Sequence, residues 1–205
     1  MQANKIENVV IVGGGTAGWI TAALLAKVLG KQLNIRLIES SKINTIGVGE
    51  ATIPAIVNFN QALGLDEQAM MKACKSTIKL GIEFENWQQQ GHKYMHAFGG
   101  LGKDLPFCDF HHLWLRYKKH QPNCDFWDFS LNYQAAKNNK FARLKPITGT
   151  NFAGLPYAYH FDAGLYAKFL QKFSENLGVK HQDATVEQVQ LSAETGLVEQ
   201  LQLTD

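Results

Sequence analysis

The sequence predicts an α/β fold, and three observations carry that reading. Residues 9–12, "VVIV", form a continuous apolar run, the pattern of a parallel-sheet strand with both faces covered. Gly13-x-Gly15-x-x-Gly18 follows at once and opens a helix that ends near Gly30, a suitable residue just past a helix C-terminus. A second strand, "LNIRLIES", then places Glu39 at its end, 24 residues after Gly15. Strand, glycine turn, helix and strand make a Rossmann-like βαβ unit with a GxGxxG fingerprint. Beyond it the sequence predicts a mixed sheet, with residues 76–155 as an inserted substrate-side subdomain within one domain spanning 1–205.

Each part of the first unit has a physical task. Gly13 permits the tight turn, Gly15 lets the backbone approach a pyrophosphate, and Gly18 lets helix and strand pack closely. The helix N-terminus at Thr16 and Ala17 offers free amide donors and a partial positive charge. Glu39 stands where an acidic residue meets a ribose. Residues 9–26 carry no charge and follow Lys5, which imitates a signal peptide or a short spanning helix. The glycines at 13, 14, 15 and 18 argue instead for strand, turn and helix.

The next segment departs from a regular nicotinamide-binding domain. "GVGEATIP" at 47–54 is a second glycine-rich turn, and Pro54 suits the first turn of a short helix. So apolar a loop, directly after the ribose strand, is placed to run along an extended cofactor. Residues 76–85, "STIKLGIEFE", alternate as a half-buried strand with Ile78, Leu80, Ile82 and Phe84 on one face. Lys79 then projects to the other face between Thr77 and Gly81, and Gly81 is expected to leave space beside it. "KYMHAF" reads as a second short strand, and "FHHLWLRYKKH" as a helix. Residues 163–177 read as a helix, followed by strand-like "VKHQDATVEQVQL", a turn and "LVEQLQLTD".

Composition sets limits. The chain has 205 residues, 45% hydrophobic and 19% charged, the balance of a soluble globular protein. A formal charge of +2, with no basic run, gives no argument for nucleic acid. Three cysteines, Cys74, Cys108 and Cys124, make no closely spaced framework, which points to a reducing cytoplasm. Cys108, His111, His120 and Cys124 have zinc-ligand chemistry, but the two histidines lie nine apart on one helix. Free thiols and surface histidines explain them better, and no metal is expected. Of the aromatics Phe98, Phe107, Phe110, Trp114, Trp127 and Phe129 most suit an ordinary core; Phe98 and the loop 99–112, which follow the Lys79 strand and a second short strand, are the exceptions, and Phe98 is a candidate for binding a flat ring. Arg116, Lys118 and Lys119 read as a solvated helix end.

"GGGTAGW" at 13–19, "GVGEATIP" at 47–54, "IKLGIEFENW" at 78–87 and "YHFDAGLYAKFL" at 159–170 together resemble the flavin-dependent tryptophan halogenases. The resemblance implies FAD contacts at Gly13, Gly15, Thr16, Ala17, Gly18, Glu39, Val48, Gly49, Glu50, Ala51 and Val186. It implies that a separate flavin reductase supplies FADH2, and that reduced FAD, oxygen and a halide ion give hypohalous acid. Lys79 matches the family's lysine, which carries the halogen or polarises the hypohalous acid beside an indole-type ring such as tryptophan. A cytoplasmic bacterial enzyme without nucleic-acid or membrane partners is implied.

The family's Trp-x-Trp-x-Ile-Pro motif is not in these residues, and its members are far longer than this chain. The C-terminal hairpin resembles the element before the last strand of the nucleotide-binding sheet. A C-terminally incomplete fold is therefore expected, inactive by itself. A missing strand would leave an unpaired sheet edge, and self-association through that edge is expected. A flavin monooxygenase and a non-catalytic FAD-binding fragment are the alternative functions.

Overall fold

The structure, a computed structural model, describes residues 6–43, 49–149 and 154–204. In chain order its elements are β1 (Asn8–Val12), α1 (Thr16–Leu29), β2 (Asn34–Glu39), β3 (Glu50–Ala51), α2 (Ala55–Leu63) and α3 (Glu67–Ala73). There follow β4 (Thr77–Lys79), β5 (Gly81–Glu85), β6 (Lys93–Ala97), α4 (Phe110–Lys118) and α5 (Leu131–Lys137). The last are β7 (Ala158–Phe161), α6 (Ala163–Asn176), β8 (Lys180–Asp183), β9 (Thr185–Leu191) and β10 (Val198–Thr204). They form two compact units: Met1–Glu50, Phe59–Ser76 and Phe161–Asp205 in the first, Ala51–Asn58 and Thr77–His160 in the second. Among the described residues no helix is long and apolar enough to cross a membrane.

The first unit holds a parallel sheet in the order β1-β2-β8. Helix α1 turns Trp19, Ala22, Ala23 and Ala26 inward, a stripe at helical spacing whose small residues allow close packing with α6. Helix α6 answers with Ala163, Tyr166, Ala167 and Leu170, and Asp162 caps it by accepting from the Leu165 amide at 2.8 Å. Tyr166 donates its hydroxyl to Asn60 Oδ1 at 2.7 Å, a fully enclosed pair. Cys74 is buried beside it. Burial, with the charge of Asp162 second, pushes its thiol up to about 11, so it stays protonated and inert.

One expectation for this unit needs correction. β1 is not covered on both faces: Val10 and Val12 are exposed. The stretch from Val179 gives the expected strand and hairpin: β8 extends the parallel sheet beside β2, and β9 pairs antiparallel with β10.

The second unit departs further from the sequence reading. Residues 76–85 are not a single strand. β4 pairs with β7, Lys79 opposite Ala158, whereas β5 pairs with β6, Gly81 opposite Ala97. The switch falls at Leu80, whose carbonyl accepts from the Phe98 amide at 2.8 Å and from Asn132 Nδ2 at 3.4 Å. Asn132 is buried on α5 and also donates to the Pro156 carbonyl at 2.6 Å. Nor does Gly81 leave open space. A β-carbon there would lie 2.7 Å from the His96 carbonyl and 2.8 Å from the Ala97 Cα, so the glycine exists to let β6 approach.

The aromatic cluster is real but centred elsewhere. Phe126, on a 3₁₀ turn at Phe126–Phe129, lies 4.9 Å from Trp114 and 5.9 Å from Trp127 by ring centroids, and Phe110 packs on Phe129 at 4.9 Å. Phe107 is outside it and fully exposed, at a positive φ of 69°. All three cysteines are free, and among the described residues no three His, Cys, Asp or Glu side chains converge on a metal position.

Replacing Gly81 with alanine should destabilise the chain by about 1–3 kcal/mol, the usual cost of overpacking against backbone that cannot yield. Urea denaturation measures it; an unchanged midpoint would mean that the two strands separate at no cost.

Candidate functional site

The glycine turn is built from the strand ends upward. The Gly13 amide donates to the Ile38 carbonyl at 2.8 Å, which ties the turn to β2 at a φ of +110°. A β-carbon on Gly18 would collide with the Gly13 carbonyl, so this glycine sets how close α1 comes to the turn. A β-carbon on Gly15 would meet nothing within 4 Å. Gly15 is thus not needed for packing, and its open side is where a ligand can reach the backbone. Gly15 is also the helix N-cap and supplies no side-chain acceptor, so the first amides of α1 are left for another partner.

These residues line a cleft of about 570 Å³, with Val12, Gly13, Gly14, Gly15, Glu39 and Val186 in its wall. That volume is in the range of cofactor sites. Glu39 closes one side. Its carboxylate folds over Gly14, where any β-carbon would strike it, and Oε1 lies 3.0 Å from His181 Nε2. The His181 ring is itself packed on Trp19, 5.6 Å between centroids. Beyond Glu39, Ser40 and Thr185 share a hydrogen bond of 2.8 Å, and the Ala184 amide donates to the Glu39 carbonyl at 2.8 Å. The cleft therefore offers a bare backbone and a positioned carboxylate, with the first turn of α1 adjoining it, a set that fits the pyrophosphate and ribose of a dinucleotide. Gly13, Gly15, Glu39 and Val186 come together here, with Thr16 and Ala17 in the adjoining first helical turn. Val48 lies outside the described residues. Gly49 and Ala51 are exposed and Glu50 is half-buried. Helix α2 begins directly after Pro54, one residue later than the sequence suggests.

Lys79 belongs to the second unit. It is only 6% exposed, which strand alternation alone does not reveal. Its amine donates to the Thr52 carbonyl at 2.8 Å and stands 5.6 Å from the Phe98 ring centroid. Removal from water holds its pKa below the ordinary lysine value. His160, on β7, is likewise held below the usual histidine range, by burial first and the Lys79 charge second. Thr52 is fixed on Tyr159 three ways: amide to carbonyl at 3.0 Å, hydroxyl to the same carbonyl at 2.9 Å, and the Tyr159 amide back to the hydroxyl at 3.0 Å. The result is a dry amine with, among the described residues, one hydrogen bond, to Thr52, and an aromatic face beside it.

Sequence reasoning missed Gly14, His181, Thr52 and Asn132. Gly14 stands between the fingerprint glycines and could have been suspected. The others act across long separations and leave no local signal.

Comparison with known proteins gives concordant results. A family model for tryptophan halogenase matches residues 8–205. The tryptophan 6-halogenase SttH of Streptomyces toxytricini is 37% identical over 202 residues, which cover 88% of this chain and 38% of that protein. The tryptophan 7-halogenase RebH of Lentzea aerocolonigenes is 34% identical over 212 residues, 94% of this chain and 38% of that one. Among solved structures, Xcc4156, a flavin-dependent halogenase from Xanthomonas campestris, matches with a TM-score of 0.89 and 45% identity over 98% of this chain and 39% of its own. BrvH, a flavin-dependent halogenase from Brevundimonas sp. BAL3, matches with a TM-score of 0.85 and 38% identity, over 97% of this chain and 40% of its own. The chain thus spans about 38% of the length of these curated relatives.

The lowered pKa of Lys79 has a sign that can be checked. Between that value and the ordinary lysine value of 10.5 the unfolded chain binds the proton that the folded chain releases, so stability rises with pH across this window. Titration followed by lysine side-chain carbon NMR should show one resonance with a midpoint below the others, absent in Lys79→Met. Uniform lysine titration would contradict the burial.

Proposed function

Because the chain belongs to the tryptophan halogenase family, we propose that it supplies the FAD-binding cleft and the catalytic lysine of a flavin-dependent halogenase. The observation that carries this reading is the dry Lys79 amine beside Phe98, in a chain that also has an open glycine cleft. In this proposal Gly13, Gly15 and the amides of Thr16 and Ala17 receive the pyrophosphate, and Gly18 keeps them in place by close packing. Glu39 accepts from the adenosine ribose, with His181 fixing its orientation, and Val186 closes the cleft. Val48, Gly49, Glu50 and Ala51 lie along the cofactor. These residues would hold FAD supplied reduced by a separate reductase; with molecular oxygen as the oxidant, the bound flavin would supply the chemistry that turns halide into hypohalous acid, one oxygen atom leaving as water.

Lys79 then does the work of the protein's own side chains. Burial favours its neutral amine, the form that can take up the halogen; in its charged form its N–H donors polarise the hypohalous acid. The Thr52 carbonyl holds the amine in one orientation, and the Phe98 ring offers a face for stacking an indole-type substrate such as tryptophan. Residues 76–155 would then act as a substrate-side insertion on the FAD-binding domain. The relatives named above come from bacteria, and a cytoplasmic setting is the proposal for this chain.

FAD titration tests the cleft. We expect saturable binding by the chain, lost by at least about tenfold in Gly15→Val with unchanged thermal stability, because that position has room for a side chain but not for both side chain and phosphate. Gly18→Ala should instead lower stability, by about 1–3 kcal/mol. No FAD binding by the unaltered chain would remove the cofactor assignment. Halide incorporation is tested after fusing the chain to the part of the Xanthomonas halogenase that it does not match, and a folded, FAD-loaded fusion with no halogenated indole would contradict the enzyme assignment.

A further inference from the structure

A chain of polar contacts leaves the glycine cleft of the first unit and ends on helix α6. Glu39 Oε1 lies 3.0 Å from His181 Nε2, and His181 Nδ1 lies 3.2 Å from Gln171 Nε2. The Gln171 amide also donates to Glu175 Oε1 at 2.9 Å, one helical turn on. Register brings the middle of this chain together. His181 on β8 stands opposite Leu37 on β2, two residues before Glu39, so both side chains share the sheet face towards α1 and α6. The buried Trp19 ring packs on the imidazole from α1.

Donors and acceptors fix the state of each member in turn. The Glu175 carboxylate accepts and cannot donate, so Gln171 must turn its NH2 group, not its carbonyl, towards it. The same NH2 group faces His181 Nδ1, which therefore acts as an acceptor. The ring hydrogen is left on Nε2, where the Glu39 carboxylate accepts it. A hydrogen on Nδ1, in the other tautomer or in the charged ring, would set donor against donor at Gln171, and Glu175 at 3.8 Å is too far to take it. At the cleft end Glu39 Oε1 is occupied by His181, whereas Oε2 lies against Gly14 in the cleft wall.

We propose that Glu175, Gln171 and His181 are a relay of positioning residues for the cofactor. Glu175 orients the Gln171 amide, Gln171 selects the histidine tautomer with hydrogen on Nε2, and that hydrogen holds Glu39 Oε1. Oε2 is then the oxygen presented to a ribose hydroxyl. The relay rests on the FAD reading of the cleft, and it extends that reading to two residues of α6 that act on the cofactor only through Glu39.

Two measurements on the full chain test it. Nitrogen-15 shifts of the histidine rings, taken without FAD in mildly alkaline buffer, report the tautomer, and the His181 signals are identified by their loss in His181→Gln. The expected ring carries its hydrogen on Nε2. FAD titration should then show affinity about tenfold weaker in His181→Leu and about threefold weaker in Gln171→Met. His181→Gln, whose amide keeps a donor towards Glu39, should restore most of the loss. Gln171→Met should cost nothing further in a His181→Leu background, a coupling that a merely structural role would not produce. Gln171 is half-buried on α6, so its variant keeps the test open if His181→Leu fails to fold. No FAD binding by the unaltered chain would remove the cofactor reading and the relay with it. FAD binding by the unaltered chain, with hydrogen on Nδ1 of His181 or with full affinity kept in Gln171→Met, would overturn the relay alone.

Discussion

A lysine amine held out of water must be compensated, and the second unit is arranged around that requirement. Among the described residues Lys79 has one hydrogen-bond acceptor, the Thr52 carbonyl, and an aromatic face as its neighbour. That carbonyl is dependable only because Thr52 grips Tyr159 through amide and hydroxyl together. Lys79 itself is fixed because its strand stops immediately after it. The chain changes partner at Leu80, whose carbonyl is satisfied by Phe98 and Asn132, and the next residue must be glycine for β6 to come close. The same Phe98 that accepts this register also stands beside the amine. Strand switch, buried asparagine, threonine clamp and aromatic ring thus serve one end: a lysine that is dry and oriented.

The first unit obeys a different constraint, the contact between the α1 backbone and the Gly13 carbonyl that Gly18 alone permits. With the helix so close, the bare backbone at Gly15 lines a cleft next to the first turn of α1, and Glu39 is brought to its wall by β2 and steadied by His181. Two of the fingerprint glycines therefore have opposite meanings. Gly18 is filled by protein on every side that matters, whereas Gly15 is bounded by nothing within 4 Å. The first is a packing requirement, and the second is room kept for a ligand.

Much of this was legible in the sequence, and the division follows sequence distance. The βαβ unit, the Glu39 position, the helix after Pro54 and the helix from Ala163 are local patterns of period, turn and cap, and they fall within a residue or two of their places. The switch at Leu80 left no local trace, since the alternation from Ile78 to Phe84 continues through it although the pairing partner changes. Burial of Lys79 ran against that same alternation, and only its resemblance to the halogenase motif singled it out. The Thr52 clamp spans 107 residues and the Thr52–Lys79 bond 27, distances over which periodicity says nothing. The exposure of Val10 and Val12 was misread because an apolar run does not reveal how many faces of its sheet are covered.

The central claim is that Lys79 handles the activated halogen and does not merely hold the unit together. In the fusion with the unmatched part of the Xanthomonas halogenase, Lys79→Ala and Lys79→Met are measured for FAD affinity and for halide incorporated into tryptophan. The account predicts FAD affinity within about twofold of the unaltered protein, and halide incorporation lower by at least about a hundredfold in both variants. Incorporation retained in folded Lys79→Met, at a rate near that of the unaltered fusion, would contradict it.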